Sequence, residues 1–369
     1  MREIIVALAL SLAVGSASAA EKEPPIRFAI FGLTHDHARG FIPKAIGGQD
    51  AQLVGIIEPN RELAERYRKR LNLDKSLFFS SLEELLSKTK VQAVATFTST
   101  LDHRRAVELC APRGIHVMME KPLAVNMDDA RAIQAAAKKG GIQIIVNYET
   151  TWYAANQAAY ILVRRQHVIG DLRKIVALDG HCGPKELGCD PDFVKWLTDP
   201  VQNGGGALMD FGCYGADLMT WMMDGQRPTK VMAVTQQIKP HLYPKVEDEA
   251  TIVLTYPKAQ GIIQASWNWA VSRKDLEIYG TTGYLLATRS DGLRMRKTNG
   301  SADSEMSVTP LSGPQADPVA YLAAVVRGQI EPTGPSSLKV NMIVTEILDA
   351  ARESARTGKQ IELAPAAGQ

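Results

Sequence analysis

Two short stretches of this chain place chemically competent side chains close together. In "HVMMEKPLAVN" a strand-forming run ends in Glu120-Lys121-Pro122, so a carboxylate and an ammonium stand at a strand end beside a proline. Pro122 fixes a rigid bend that aims the preceding side chains outward. An ammonium in that place can hydrogen-bond a substrate hydroxyl and lower the pKa of a neighbouring acid. In "GGGALMDFGCYGADLMTWMMDG", Asp210 and Tyr214 are spaced i, i+4, with Asp217 one turn further on. That spacing predicts one shared helical face. A phenol has a reference pKa of about 10, and a nearby ammonium would bring it towards working pH, where general-base catalysis is efficient.

A third stretch, "IRFAIFGLTHDHARGF", reads as a buried strand followed by a turn into a helix. A dinucleotide fold uses Gly-x-Gly-x-x-Gly there, for a tight turn, close phosphate approach and helix–strand packing. This chain keeps Gly32 but carries Thr34 and His37 at the second and third glycine positions. Helix amides, the Thr34 hydroxyl and the His35 region could still hold a pyrophosphate. Glu58 ends the next strand, where a carboxylate accepts hydrogen bonds from a ribose 2'-hydroxyl and repels a 2'-phosphate, so NAD is preferred over NADP. His35, Asp36 and His37 could also suggest a metal. They lie in a turn with no neighbouring Cys or His as a third ligand, and no metal is expected.

The elements that must position these groups follow a simple alternation. "IRFAIFG", "AQLVGIIE", "VQAVATF", "IHVMME" and "IQIIVNY" read as buried strands, separated by amphipathic helices, two of them with Asn60 and Asn126 as predicted N-caps. The alternation predicts an α/β domain over residues 21–147, a Rossmann-type doubly wound parallel sheet with its ligand site at the strand carboxyl ends. From residue 148 onward the pattern changes to long alternating strands, "RKIVALDGHCG", "TKVMAVTQQIK", "DEATIVLTYP", "QGIIQASWNWA" and "DLEIYGTTGYLLATR". Residues 148–369 are therefore expected to form an α+β domain with a mainly antiparallel open sheet, for substrate and oligomerisation. The final amphipathic helix is expected to pack back on the first domain.

The combination of "HVMMEKPLA", an upstream His103 in "TSTLDH", and the Gly-rich segment bearing Asp210 and Tyr214 resembles the glucose-fructose oxidoreductase, inositol dehydrogenase and MocA (Gfo/Idh/MocA) family. "EIYGTTGYL" and "DPVAYLAAVVRG" are similar to family segments as well, so the resemblance spans nearly all of the chain beyond residue 20. It implies catalytic roles for Lys121, Tyr214 and Asp210: Lys121 positions the substrate and tunes the proton acceptor, Tyr214 is the acid/base, and Asp210 orients them. It implies cofactor contacts from Gly32, Thr34, His35, Glu58, Thr98, His103, Glu120 and Lys121. Asn147, Trp152, Tyr153, Asp217 and Trp267, with Asn268 and Trp269, are candidates for a sugar pocket, because aromatic faces pack against carbohydrate C–H groups. The chain departs from the family in its altered glycine turn, in Ser99 where relatives often have Pro, and in "VNYETTWY", which lacks the arginines often found there.

The bulk properties restrict the classes of function. Lys plus Arg number 42 against 40 Asp plus Glu, a net charge of +2, so nothing points to electrostatic binding of nucleic acid. Residues 1–20, with Arg2, an apolar run and small residues before position 20, read as a secretory signal, and the run is too short to span a bilayer. The protein is thus expected to be exported, periplasmic or extracellular, without a membrane anchor. In such a compartment Cys182 and Cys189 could pair across "HCGPKELGCD", with Cys110 and Cys213 as buried thiols. Free NAD is scarce outside the cytoplasm, so a tightly held, recycled cofactor is expected. The resulting expectation is an NAD(P)-dependent oxidoreductase acting on a secondary alcohol or ketone of a sugar, polyol or glycoside, assembled as a homo-oligomer, dimer or tetramer. Two alternatives stand beside it: an NAD-dependent glycoside hydrolase with transient oxidation, and a sugar-binding relative that has lost its cofactor.

Overall fold

The computed structural model describes residues 23–298 and 300–364; the leader read in residues 1–20 lies outside them. Apolar runs of the N-terminal part form strands β1 (Ile26–Phe31), β2 (Ala51–Ile57), β3 (Phe78–Phe79), β4 (Ala93–Thr96), β5 (His116–Glu120) and β6 (Ile144–Asn147). Between them lie helices α1 (Ala38–Gly47), α2 (Arg61–Arg70), α3 (Leu82–Lys88), α4 (Asp102–Cys110) and α5 (Met127–Gly140). The strands pair in parallel in the order β3-β2-β1-β4-β5-β6. The order reverses between β1 and β4, and a doubly wound sheet opens its crevice at that switch, beyond the strand carboxyl ends. Both predicted caps form: Asn60 accepts from the amides of Glu62 and Leu63, and Asn126 from that of Asp129. Each satisfies amides that a helix start leaves unpaired.

The C-terminal part supplies helices α6 (Ala154–Tyr160), α7 (Pro191–Leu197), α8 (Ala207–Asp210), α9 (Gly212–Met222), α10 (Pro318–Val326) and α11 (Leu338–Thr357). Its strands are β7 (Leu172–Gly180), β8 (Lys230–Gln236), β9 (Glu249–Thr255), β10 (Gln260–Ser266), β11 (Arg273–Gly280), β12 (Tyr284–Thr288), β13 (Gly292–Arg296), β14 (Ser304–Glu305) and β15 (Ile361–Glu362). They form one sheet in the order β14-β13-β12-β11-β7-β10-β9-β8-β15, antiparallel except for the β7–β10 pair. The run "DLEIYGTTGYLLATR", read as one long strand, divides at residues 281–283 into the hairpin β11–β12. Gly283, at the end of that turn, lets the end of β13 pass close by, since a Cβ there would lie 2.4 Å from the Arg296 carbonyl oxygen.

Helix α9 lies on the inner face of this sheet at very short range. A Cβ on Gly215 would come within 2.6 Å of Ile263 and 2.9 Å of Ala177, so glycine is what lets the helix approach. That close approach fixes Tyr214, one residue earlier, against the sheet. The last two helices tie the halves together. Tyr321, Leu322 and Val325 of α10 share a core with Phe28 and Ile42, Asp349 of α11 accepts from the Met127 amide at 2.7 Å, and Arg352 donates to the Val125 carbonyl at 2.7 Å. All four cysteines are free thiols, so the pairing expected for Cys182 and Cys189 does not occur.

Candidate active site

Strand β5 ends in the crevice and delivers Lys121 to the foot of α8. Lys121 Nζ donates to Asp210 Oδ1 at 2.5 Å and to the Asp210 carbonyl at 3.0 Å. Asp210 Oδ2 accepts from Trp267 Nε1 at 2.9 Å, so both carboxylate oxygens are engaged. Burial alone would discharge this pair. The mutual attraction outweighs it: against burial, Asp210 holds the Lys121 pKa up, and Lys121 holds that of Asp210 down. Asp210 and Tyr214 are not on one continuous helix as the spacing suggested, because the chain breaks at Phe211 between α8 and α9. The two residues still converge, since Lys121 Nζ lies 4.9 Å from the centroid of the Tyr214 ring.

The expectation that an ammonium lowers the pKa of Tyr214 is overturned. Tyr214 is 1 % exposed, and burial, followed by Glu149, Cys213, Asp210 and Glu120, pushes its pKa up. Lys121 cannot reverse this while Asp210 neutralises it. At neutral pH the phenol is therefore protonated, the form that donates to a ketone oxygen.

Sequence reasoning missed several groups around this centre. Lys274 of β11 lies 4.7 Å from the Tyr214 ring centroid and forms an ion pair with Glu149, the first residue of the short turn after β6. Asp179 of β7 is Lys274's cross-strand neighbour. It is fully buried, and neither of its oxygens has a hydrogen-bond partner among the described residues. Burial raises its pKa well above the carboxylate range. His181, two residues on, accepts the Gly183 amide at Nδ1 (2.9 Å) and so carries its proton on Nε2 when neutral. The signal was present in "IVALDG": Asp179 occupies the inward phase of a strand whose other inward residues, Ile175 and Ala177, are apolar.

Beside this closed centre lies an open cleft of about 540 Å³, lined among others by His37, Glu120, Asn147, Glu149, Trp152 and Tyr153. Three of the expected substrate residues meet here. Asn147 donates to Glu120 Oε1 at 2.8 Å and accepts from Trp152 Nε1 at 2.9 Å, and Tyr153 donates to Glu149. His37 Nδ1 lies 2.9 Å from Glu120 Oε2. Two other expected substrate residues are elsewhere. Trp267 is fully buried against Tyr243 and holds Asp210 rather than a sugar. Asp217 is fully buried and unpartnered among the described residues, away from the cleft. Asn268 is engaged with Asp248 and Glu249, and Trp269 packs over Gly180.

The turn after β1 keeps the shape of a phosphate turn. Gly32 has φ +81°, and a Cβ there would lie 2.5 Å from Thr98 Cγ2, so only glycine closes it. Glu58 accepts from the Leu33 amide (2.9 Å) and the Asn60 amide (2.8 Å), one on each oxygen. Each oxygen keeps a second lone pair, which suits a ribose hydroxyl. Thr34 offers its carbonyl to Trp196 Nε1 at 3.2 Å. His35 is buried beneath Phe193 and Trp196, ring centroids 4.8 and 5.5 Å away, and burial keeps it neutral. Helix α7 thus roofs the turn. It is latched by Arg39–Asp190 at 2.6 Å and by Arg66–Asp192.

Thr98 is spent on Thr96 and the Ser99 carbonyl. His103, expected beside the cofactor, is buried, with Nδ1 facing the Pro122 and Leu123 carbonyls at 3.1 and 3.3 Å and Nε2 without a partner among the described residues. The third ligand that sequence could not find for His35 and His37 is Glu120, and ligand atoms of the three lie within 4.8 Å of one another. The His37 amide donates to His35 Nδ1 at 3.2 Å, which puts the neutral ring's proton on Nε2, the atom 3.9 Å from Glu120. A cation would need that proton removed and the amide turned away, so these residues suit a polar turn better than a metal centre.

Comparison with known proteins agrees with this architecture. Residues 26–148 match the oxidoreductase family NAD-binding Rossmann fold, and residues 157–286 match the GFO/IDH/MocA C-terminal domain. The chain belongs to the Gfo/Idh/MocA oxidoreductase family, and its N-terminal domain is an NAD-binding Rossmann fold. The trans-1,2-dihydrobenzene-1,2-diol dehydrogenase of Bos taurus is 28 % identical over 235 residues, 63 % of this chain and 64 % of that one; the Mus musculus enzyme of that name is 28 % identical over 229 residues, 62 % and 63 %. Among solved structures, the Caulobacter crescentus aldose-aldose oxidoreductase complexed with glycerol superposes with TM-score 0.77 at 24 % identity, covering 92 % of this chain and 100 % of that one. An inositol dehydrogenase homolog from Azotobacter vinelandii complexed with NAD+ gives TM-score 0.78 at 19 % identity, covering 92 % and 98 %.

Proposed function

We propose that this protein transfers a hydride between NAD and the secondary alcohol or matching ketone of a sugar, polyol or glycoside. The observation that carries the reading is the buried Lys121–Asp210 pair beside the Tyr214 phenol, at the carboxyl ends of a dinucleotide-type sheet. NAD held along the Gly32 turn and Glu58 would supply hydride exchange at its nicotinamide. The chain's own residues supply the rest. Tyr214 exchanges the proton of the carbinol oxygen, Lys121 hydrogen-bonds that oxygen, and Asp210, clamped by Trp267, keeps the ammonium charged and aimed. Burial of all three excludes water and strengthens each interaction. Glu120, Asn147, Trp152 and Tyr153 present both hydroxyl-binding groups and aromatic faces to the cleft, which suits a polyhydroxylated substrate.

The roof formed by α7 favours a cofactor that stays bound through turnover. That fits export, which rests on the reading of residues 1–20, because a recycled cofactor does not depend on an external pool. Self-association through the open sheet fits the exposed apolar side chains Val234 (61 %) and Ile238 (53 %) on and beside β8. The test is mass spectrometry of nucleotide released from gently purified protein, followed by turnover of sugars and polyols without added NAD. Bound nucleotide with turnover supports the reading, and release of an aglycone would move it to the hydrolase alternative. Absence of nucleotide and of NAD binding would leave the sugar-binding alternative.

A further inference from the structure

Two ammonium groups, not one, face Tyr214, and they differ in what else holds them. Lys121 gives two of its three N–H donors to Asp210, one to the carboxylate and one to the carbonyl, and keeps the third for substrate. Lys274 has a single ionic partner, Glu149, and Glu149 lines the open cleft. Lys274 therefore bridges the cleft edge and the buried phenol, whose ring centroid is 4.7 Å from its ammonium. Its cross-strand neighbour Asp179 is unpartnered among the described residues and cannot balance it while protonated.

We propose that Lys274 is a positioning residue whose ammonium sets the ease with which Tyr214 gives up and takes back the carbinol proton, with Glu149 as a counter-ion that a polyhydroxylated substrate draws away. The inference rests on the oxidoreductase reading above. In the oxidative direction the Tyr214 phenolate oxygen takes the carbinol O–H proton, while a bound oxidised nicotinamide would accept the C–H electron pair as hydride; in reduction the Tyr214 phenol returns that proton. A substrate hydroxyl that donates to Glu149 weakens the Glu149–Lys274 pair and leaves more of the Lys274 charge to stabilise the phenolate. The groups facing this centre are Glu120 and Lys121 from β5, Tyr148 and Glu149 after β6, Asp179 from β7, His181 just past β7 and kept neutral by burial, Asp210 from α8, Cys213 from α9 and Lys274 from β11. Among them only Lys121 and Lys274 are cationic, and only Lys274 has a counter-ion at the cleft.

The experiment compares Lys274→Met, Lys274→Arg and Glu149→Gln with the native holoenzyme, recording kcat for polyol oxidation across pH and the phenolate ultraviolet difference spectrum, with Tyr214→Phe as the spectral reference. Lys274→Met should move the alkaline limb of kcat up by about 1 pH unit, the low end for loss of a charge at this range, with about tenfold less turnover below the limb. Lys274→Arg should restore the native limb, and Glu149→Gln should move it down. Reduced amplitude with an unmoved limb, or an unmoved phenolate transition, overturns the proposal. A native protein with neither nucleotide nor turnover defeats the oxidoreductase reading instead, so the two failures are distinguishable.

Discussion

The two ends of the crevice are built on different physical terms. Around Asp210, the pairs that hold the charge are short and buried: one lysine, one aspartate, one indole N–H. At the β1 turn, two glycines of a phosphate loop have given way to Thr34 and His37, and closure comes from aromatic contact on His35 and from ion pairs that reach solvent. A buried, fully paired charge cannot be altered without leaving an uncompensated partner. Partly exposed ion pairs contribute little each and can be exchanged for other anions, including phosphates. The first arrangement suits chemistry that must not vary; the second suits a lid that must open at least once to admit a cofactor.

The sharpest way to break this contrast is Lys121→Met, which strands the Asp210 carboxylate in the core. Stability should fall by about 3–5 kcal/mol, measured by denaturant unfolding, and turnover should be lost with it. Tyr214→Phe removes only a hydroxyl, so turnover should drop by about 10²–10⁴-fold while the melting temperature stays close to native; an active variant would remove Tyr214 from the mechanism. At the other end, Asp190→Ala combined with Asp192→Ala should speed nucleotide release by about 3- to 10-fold, the effect of two partly exposed ion pairs, read by stopped-flow fluorescence. An unchanged release rate would show that α7 is not the barrier.

Asp217 sharpens the comparison from within the core, because it is buried without the partner that Asp210 has. Burial raises its folded pKa well above the carboxylate range. Between about pH 4 and that raised value the folded chain keeps a proton that the unfolded chain has released, so this group's contribution to stability falls as pH rises. Asp217→Asn should therefore melt higher than the native protein at neutral pH, by about 2 °C or more, with the gap closing near pH 4. The smallest expected effect is Asn60→Ala at the start of α2, about 1 kcal/mol from the lost cap, with no change in turnover.

Much of the candidate centre was legible because its residues lie within short motifs. Glu120-Lys121-Pro122 closes a strand, and Asp210 and Tyr214 stand four residues apart; the break at Phe211 puts them on two short helices, yet so short a separation still keeps them together. Lys274, Asp179 and His181 were not legible as site residues. Lys274 and Asp179 sit on strands of ordinary appearance and His181 just past one, and what brings them to the Lys121–Asp210–Tyr214 centre is the register of β11 on β7 and the approach of α9 permitted by Gly215. Trp267 was misplaced for the converse reason: an indole looks the same in sequence whether it faces a ligand or ties a buried carboxylate.

By itself the sequence determined the period of its apolar residues, the helix caps at Asn60 and Asn126, the alternation that gives a doubly wound sheet, and the pairing of a lysine motif with an aspartate–tyrosine motif. These are local properties, governed by hydrogen bonding and burial within a few residues. Only the tertiary structure decided that Asp210 would neutralise Lys121, that burial would raise rather than lower the proton affinity of Tyr214, and that α7 would cover the eroded glycine turn. Such outcomes depend on which charges share a low-dielectric space, and strands far apart in the chain meet there only when the sheets close.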